Sequence, residues 1–98
     1  MAALFFNFRS MEVSAALSGL GELKRVIADS MRKSGFTDVV NTQSEVAGNR
    51  SGVRVAVVHL KIGDNRFWQV VMGGGDAGNL TQGAVNEVMT MIKKLKFL

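Results

Sequence analysis

The sequence predicts an α+β domain in which an antiparallel sheet carries both helices on one face. Two long segments repeat apolar residues at intervals of three, four and seven, which is the spacing of an amphipathic helix. Between them lie short segments rich in β-branched residues, and two of these surround a Gly63-Asp64-Asn65 turn, as in a β-hairpin. The 98 residues fit one domain, 1–98, with the order strand, helix, three-strand meander, helix.

The first half of the chain begins with a strand and a helix. Residues 3–9 form a short, aromatic-rich segment, which favours a strand. The apolar stripe that follows predicts a helix over about 12–34, ended by Gly35, because glycine enters the left-handed region without strain. Alternatively the helix begins at Ser18 as N-cap, which leaves residues 11–17 extended.

Three strands and a second helix follow. The predicted elements are strands over 37–46, 53–62 and 66–72, a turn over 48–52, and a helix from Asn79 onward. Asn79 and Gln82, three positions apart, resemble a capping box at the start of that helix.

Composition and charge narrow the class of protein. Hydrophobic residues make up 47% and charged residues 20%, which is the balance of a folded globular domain. The absence of cysteine excludes disulfides and thiolate chemistry, and no segment approaches the ~20 apolar residues of a membrane span. The amino terminus lacks the features of a signal peptide, so we expect a mature cytoplasmic protein. The net charge of +4 comes from scattered basic residues, which disfavours nucleic acid as a partner.

The hairpin turn predicts which residues share each face of the sheet. If Asp64 and Asn65 are the central turn residues, Ile62 faces Phe67, and the alternation places two apolar sets on opposite faces. The set predicted beneath the helices is Ala56, Val58, Leu60, Ile62, Phe67 and Val71. The set on the other face is Val53, Val55, Val57, His59, Lys61, Trp68, Val70 and Met72. That second face is too apolar for a solvated surface, so we predict a homodimer interface made by Val55, Val57, His59, Trp68 and Val70.

A glycine-rich segment is the candidate ligand site. It follows a predicted strand, precedes the last helix, and consists of Gly73, Gly74, Gly75, Asp76, Gly78 and Asn79. Backbone N–H groups at a helix N-terminus suit a small anion. The segment lacks the lysine of a phosphate-binding loop and the following strand of a dinucleotide site, and Asp76 would repel a phosphate. We therefore expect a flexible connection, the most mobile internal segment of the chain, with ligand binding as the alternative.

No arrangement of residues predicts catalysis, a metal or a cofactor. His59 is the only histidine and there is no cysteine, so a zinc site of the usual kind is not indicated, and we predict that His59 is not catalytic. The first interpretation is a small non-enzymatic binding or protein-interaction domain that self-associates through the open sheet face. The alternative is a small-ligand or anion-binding protein, with or without catalysis, that uses the segment Gly73–Gly78 and His59. A nucleic-acid accessory protein is the second alternative.

Overall fold

The computed structural model describes residues 4–14 and 17–94. Within them lie β1 (Phe5–Ser14), α1 (Leu17–Lys33), β2 (Thr37–Asn41), β3 (Val46–Arg50), β4 (Val53–Gly63), β5 (Arg66–Gly75) and α2 (Gly78–Lys93). The strands form one antiparallel sheet in the order β1-β5-β4-β3-β2. The predicted α+β class is confirmed. In the described ranges, no helix is long and apolar enough to cross a membrane.

Both helices lie side by side on one face of the sheet, as predicted. α1 packs over β2 and β3, while α2 packs over β1, β5 and β4. The apolar side of α1 contributes Leu23, Ile27, Ala28 and Met31 to the core, and that of α2 contributes Ala84, Val85, Val88, Met89 and Ile92. They pack on the inward-facing sheet residues Val46, Val53, Val55, Val57 and Val71. Burial of these apolar side chains is the main force holding the two layers together.

The ends of the helices differ in part from the prediction. Residues 11–14 belong to β1 and α1 begins at Leu17, which is closer to the alternative start at Ser18 than to the start near residue 12. Gly35 ends α1 with φ +91°, as its type predicts. The predicted capping box at Asn79 is wrong: Ala77 is the N-cap of α2, and no side chain of the described residues caps it.

The meander has four strands, because the predicted strand over 37–46 ends as β2 at Asn41, and a turn then leads to a further strand, β3, that begins at Val46. Thr42 makes this turn, since its hydroxyl accepts hydrogen bonds at 3.2 Å from the backbone N–H groups of Ser44 and Glu45. Most of the predicted turn over 48–52 is instead β3, and only Ser51 and Gly52 reverse the chain. Gly48 lies within β3, and crowding explains its residue type, because a Cβ there would lie 3.0 Å from Val39 Cγ2.

A β-bulge in β4 reverses the predicted faces of that strand. Gly63 pairs with Arg66 as the hairpin turn predicts, but Lys61 rather than Ile62 pairs with Phe67. Ile62 is therefore an extra residue, and every residue of β4 before it points to the face opposite to the predicted one. The inward-facing residues of β4 are Val53, Val55, Val57, His59 and Lys61, whereas Ala56, Val58 and Leu60 face outward. Phe67 and Val71 of β5 do face the helices, as predicted.

Arg50 joins the two helices to the sheet. Its guanidinium donates hydrogen bonds to the Ser34 carbonyl at 2.9 Å and to Glu87 Oε1 at 3.1 Å, and it lies 4.5 Å from the centre of the Phe36 ring. The hydrogen bond between Arg50 and Glu87 raises the pKa of Arg50 and lowers the pKa of Glu87. Arg50 thus donates a hydrogen bond to a carbonyl at the end of α1 and, through Glu87, connects that end to α2.

Candidate functional site

The open face, the sheet surface opposite the helices, is apolar across the whole width of the sheet. One cross-strand row contains an apolar residue from each strand: Phe8, Met72, Ala56, Ala47 and Val40. The neighbouring rows add Val70 and Val58, then Trp68 and Leu60. Cross-strand pairs of this kind stabilise a sheet, yet they leave one side of each residue without a partner.

Large side chains on the open face remain exposed. The exposed fraction is 69% for Phe6, 62% for Phe8, 52% for Leu60 and 41% for Trp68. Within the described part of the chain, no element packs over them. Contiguous exposed apolar residues are rare on monomeric proteins and typically mark a surface that binds a partner.

The charged residues of the open face form two pairs of opposite sign, one at each end. Arg66 and Glu12 approach to 2.5 Å at the end nearest the hairpin turn. At the other end Arg54 lies 3.8 Å from Glu45 and donates a hydrogen bond to Asn49 Oδ1 at 3.1 Å. These two pairs sum to zero charge, although the chain carries +4. The open face therefore has an apolar centre, with a pair of opposite charges at each end.

A cleft of about 650 Å³ opens at the Arg54 end of this face. Its walls include Leu4, Phe5, Phe6, Asn49, Gly52, Val53, Arg54, Gly74, Gly75 and Asp76. Gly74 leaves room within it: a side chain there would meet only the Phe5 carbonyl oxygen, at 3.9 Å, among the described atoms. The cleft combines aromatic walls with a guanidinium and a carboxylate at its edges.

The glycine-rich segment begins as part of a strand, so the predicted loop over 73–75 is wrong. Gly73, Gly74 and Gly75 belong to β5 and pair with β1 on one side and with β4 on the other. Gly73 and Gly75 are required by crowding, because a Cβ would lie 2.6 Å from Val85 Cγ2 and 2.9 Å from Thr81 Oγ1 respectively. Only two residues join β5 to α2.

The predicted ligand-binding residues are consequently distributed over three places. Gly74, Gly75 and Asp76 line the cleft. Gly73 lies beneath α2, whereas Gly78 and Asn79 begin that helix. Gly78 is also close to the Phe5 ring, since a Cβ there would be 3.1 Å from Phe5 Cδ1. The segment does not form the continuous row of free N–H groups that an anion-binding loop needs.

The predicted interface residues are divided between the two faces. Trp68 and Val70 lie on the open face, as predicted. The placement of Val55, Val57 and His59 there is wrong: Val55 and Val57 are fully buried in the core, and His59 faces the helices. The bulge at Ile62 is the reason. The open-face residues that the sequence interpretation missed are mainly Phe6, Phe8, Val58 and Leu60, and the alternation of Phe6 and Phe8 along β1 is the signal that could have identified the first two.

His59 lies half-buried near α1, where its surroundings disfavour the charged imidazolium. Burial is the main cause that lowers its pKa to about 4, and the ammonium of Lys24 adds to it. Gln69 Nε2 lies 2.8 Å from His59 Nε2, so a neutral imidazole protonated on Nδ1 accepts a hydrogen bond there. Among the described residues, no group of three histidine or acidic side chains could hold a metal ion.

The apolar rows and the two charged pairs lie on the open face, and the cleft opens at its Arg54 end, between Phe6 and Arg54 of that face and Phe5 and Val53 of the inner one. A scan against protein-family models finds no family that matches this chain, and a search of the curated proteins finds no matching relative.

Proposed function

We propose that this chain is a non-enzymatic protein-interaction domain that self-associates through the open face. The observation that carries the proposal is the group of exposed apolar side chains Phe6, Phe8, Leu60 and Trp68. They adjoin the cross-strand row Phe8, Met72, Ala56, Ala47 and Val40, in which only Ala47 is fully buried. Two sheets that pack face to face bury such rows against each other at a separation of about 10 Å.

Area and charge favour a second copy as the partner. The sheet has three strands of 10 or 11 residues and two of 5 residues. With strands about 4.8 Å apart and about 3.3 Å per residue, they give a face on the order of 600 Å², close to the ~800 Å² per partner of a standard interface. The pairs Arg66–Glu12 and Arg54–Glu45 each join opposite charges and add no net charge to the face, so these residues do not oppose the approach of a second copy. A polyanion would find no excess of positive charge on this face.

Replacing Leu60 with glutamate tests the proposal. Leu60→Glu places a carboxylate within the apolar surface, and we expect the dimer dissociation constant to rise at least about a hundredfold, since removing a buried contact and burying a charge each weaken an interface. Native mass spectrometry and sedimentation of the wild type and the variant measure this. Leu80→Glu is the matched control, because Leu80 is exposed to a similar extent, 48% against 52%, but lies on α2.

Three outcomes contradict the proposal. The first is a wild type that sediments as a monomer at high micromolar concentration. The second is a dimer that Leu80→Glu dissociates and Leu60→Glu does not, which would move the interface to the helices. The third is a monomer that retains a small molecule in native mass spectra, which would favour a ligand-binding protein instead.

A further inference from the structure

We infer that the two copies pack with their strands antiparallel across the interface, so that Trp68 of each copy enters the cleft above the partner's Gly74. The inference rests on the proposed function. It adds the orientation of the two sheets, the side chain that anchors them and the cavity that receives it.

The sizes of the side chains along β5 favour this orientation. After Arg66 at the turn, the outward-facing residues of β5 are Trp68, Val70, Met72 and Gly74, so the largest apolar side chain lies near one end and there is no side chain at the other. A two-fold axis perpendicular to the strands places Trp68 over the partner's Gly74 and Val70 over the partner's Met72. An axis parallel to β5 instead places tryptophan on tryptophan and glycine on glycine. That arrangement separates the sheets at one end and leaves a void at the other, and poorly filled interfaces lose the contacts that stabilise them.

β1 is compatible with the same orientation. Its outward-facing residues are Glu12 and Ser10 at the Trp68 end, and Phe8 and Phe6 at the cleft end. The axis perpendicular to the strands places β1 over the partner's β1 in the reverse direction, so Phe8 lies over the partner's Ser10 and the two Glu12 carboxylates stay apart.

The cleft has the walls that an indole ring needs. Phe6 and Arg54 stand on the two strands that flank Gly74, and Asn49 holds the Arg54 guanidinium through a 3.1 Å hydrogen bond. A guanidinium over an aromatic face is a favourable cation–π contact, and tryptophan is the best acceptor of it. Tryptophan seated in a desolvated pocket is also the most frequent anchor of protein interfaces.

A distance between spin labels tests the orientation. The chain has no native cysteine, so Asp64→Cys, in the exposed hairpin turn, accepts a single label outside the open face. The labelled turns lie roughly 40 Å apart in the antiparallel dimer, since each strand residue advances about 3.3 Å, and less than about 20 Å apart in the parallel one. The 44 Å length of one molecule is consistent with that separation. Double electron–electron resonance distinguishes the two distances.

A filled cleft tests the role of Trp68. Gly74→Leu fills the space above Gly74, because a Cβ there meets only the Phe5 carbonyl oxygen, at 3.9 Å, and the rest of the side chain extends into the cleft. We expect the dimer dissociation constant to rise at least about tenfold. Gly83→Leu is the matched control, because a Cβ at Gly83 on α2 meets no described atom within 4 Å beyond its chain neighbours and its own helix backbone, and it should leave the constant unchanged.

The outcomes separate this inference from the proposed function. A dimer with the short label distance overturns the antiparallel orientation and leaves the proposed function standing. A dimer with the long distance that Gly74→Leu does not weaken overturns the insertion of Trp68. A wild type that is monomeric at high micromolar concentration overturns both.

Discussion

The surroundings of His59 favour the neutral imidazole over the charged imidazolium. It lies on the face covered by the helices, its pKa falls to about 4, and Gln69 at 2.8 Å is its polar neighbour. A general base acts best with a pKa near the working pH and with a carboxylate to orient it. That His59 is not catalytic stays a prediction: we expect His59→Gln to stay folded and to keep whatever binding the wild type shows, and a loss of activity with the fold and the oligomer intact would contradict it.

The lowered pKa of His59 predicts a loss of stability in mild acid. The pKa is 6.5 in the unfolded chain and about 4 in the folded one, so below pH 6.5 the unfolded state binds more protons. The free energy of unfolding therefore falls as the pH drops from 6.5 towards 4. We expect a loss of about 1 kcal/mol at pH 5, less than the ~2 kcal/mol of a fully unscreened shift, because the ring is partly exposed.

Urea denaturation at pH 7, 6 and 5 measures this loss. His59→Gln keeps a polar side chain and removes the titration, so its free energy of unfolding should change less over the same range. The lowered pKa values of Glu22 and Glu87 act mainly below their ordinary value of 4.5, outside this window. Equal pH dependence in the wild type and the variant would show that His59 is not the group responsible.

At the scale of elements, the contact between α2 and β5 depends on glycine. A Cβ on Gly73 would lie 2.6 Å from Val85 Cγ2 in the buried core, so Gly73→Ala must displace the helix or the strand. We expect a loss of about 1–3 kcal/mol in the free energy of unfolding. Gly21→Ala is the control on α1, where no other described atom lies within 4 Å, and the better helix propensity of alanine should stabilise the protein by up to ~1 kcal/mol. A Gly73→Ala variant as stable as the wild type in urea would contradict this close packing.

The elements also show what local sequence patterns can predict. Gly35 and the turn at Asp64 and Asn65 require backbone conformations that favour their residue types, and both were predictable. The bulge at Ile62 was not, because an isoleucine fits a regular strand as well as a bulge. Both alternating sets in β4 are apolar, so the pattern did not reveal the change of face. The turn made by Thr42 contains no glycine or asparagine to indicate it. Gly48 suggested a turn, but it lies in a strand, where crowding leaves no room for a larger residue.

At the scale of the whole molecule, the helices cover one face of the sheet and leave the other exposed. The inner face, with Val55, Val57 and Val71, is closed by the helices and supplies the core of one chain. The open face carries paired charges that sum to zero, so the whole +4 of the chain resides on other residues. In the proposed dimer, this charge on the outer surface would keep dimers apart in solution. The fold leaves one sheet surface uncovered by the described elements, and the proposed second copy would cover it.

If the open face is buried in a dimer, thermal stability must depend on protein concentration. Folded dimers that unfold to separate chains are stabilised by mass action, so the midpoint of unfolding should rise by a few degrees for each tenfold increase in concentration. Differential scanning calorimetry of the wild type between about 5 and 500 µM measures this slope. Leu60→Glu should unfold at a midpoint that is independent of concentration, whereas the Leu80→Glu control should keep the slope of the wild type. A constant midpoint for the wild type over this range would mean that the chain folds and unfolds alone.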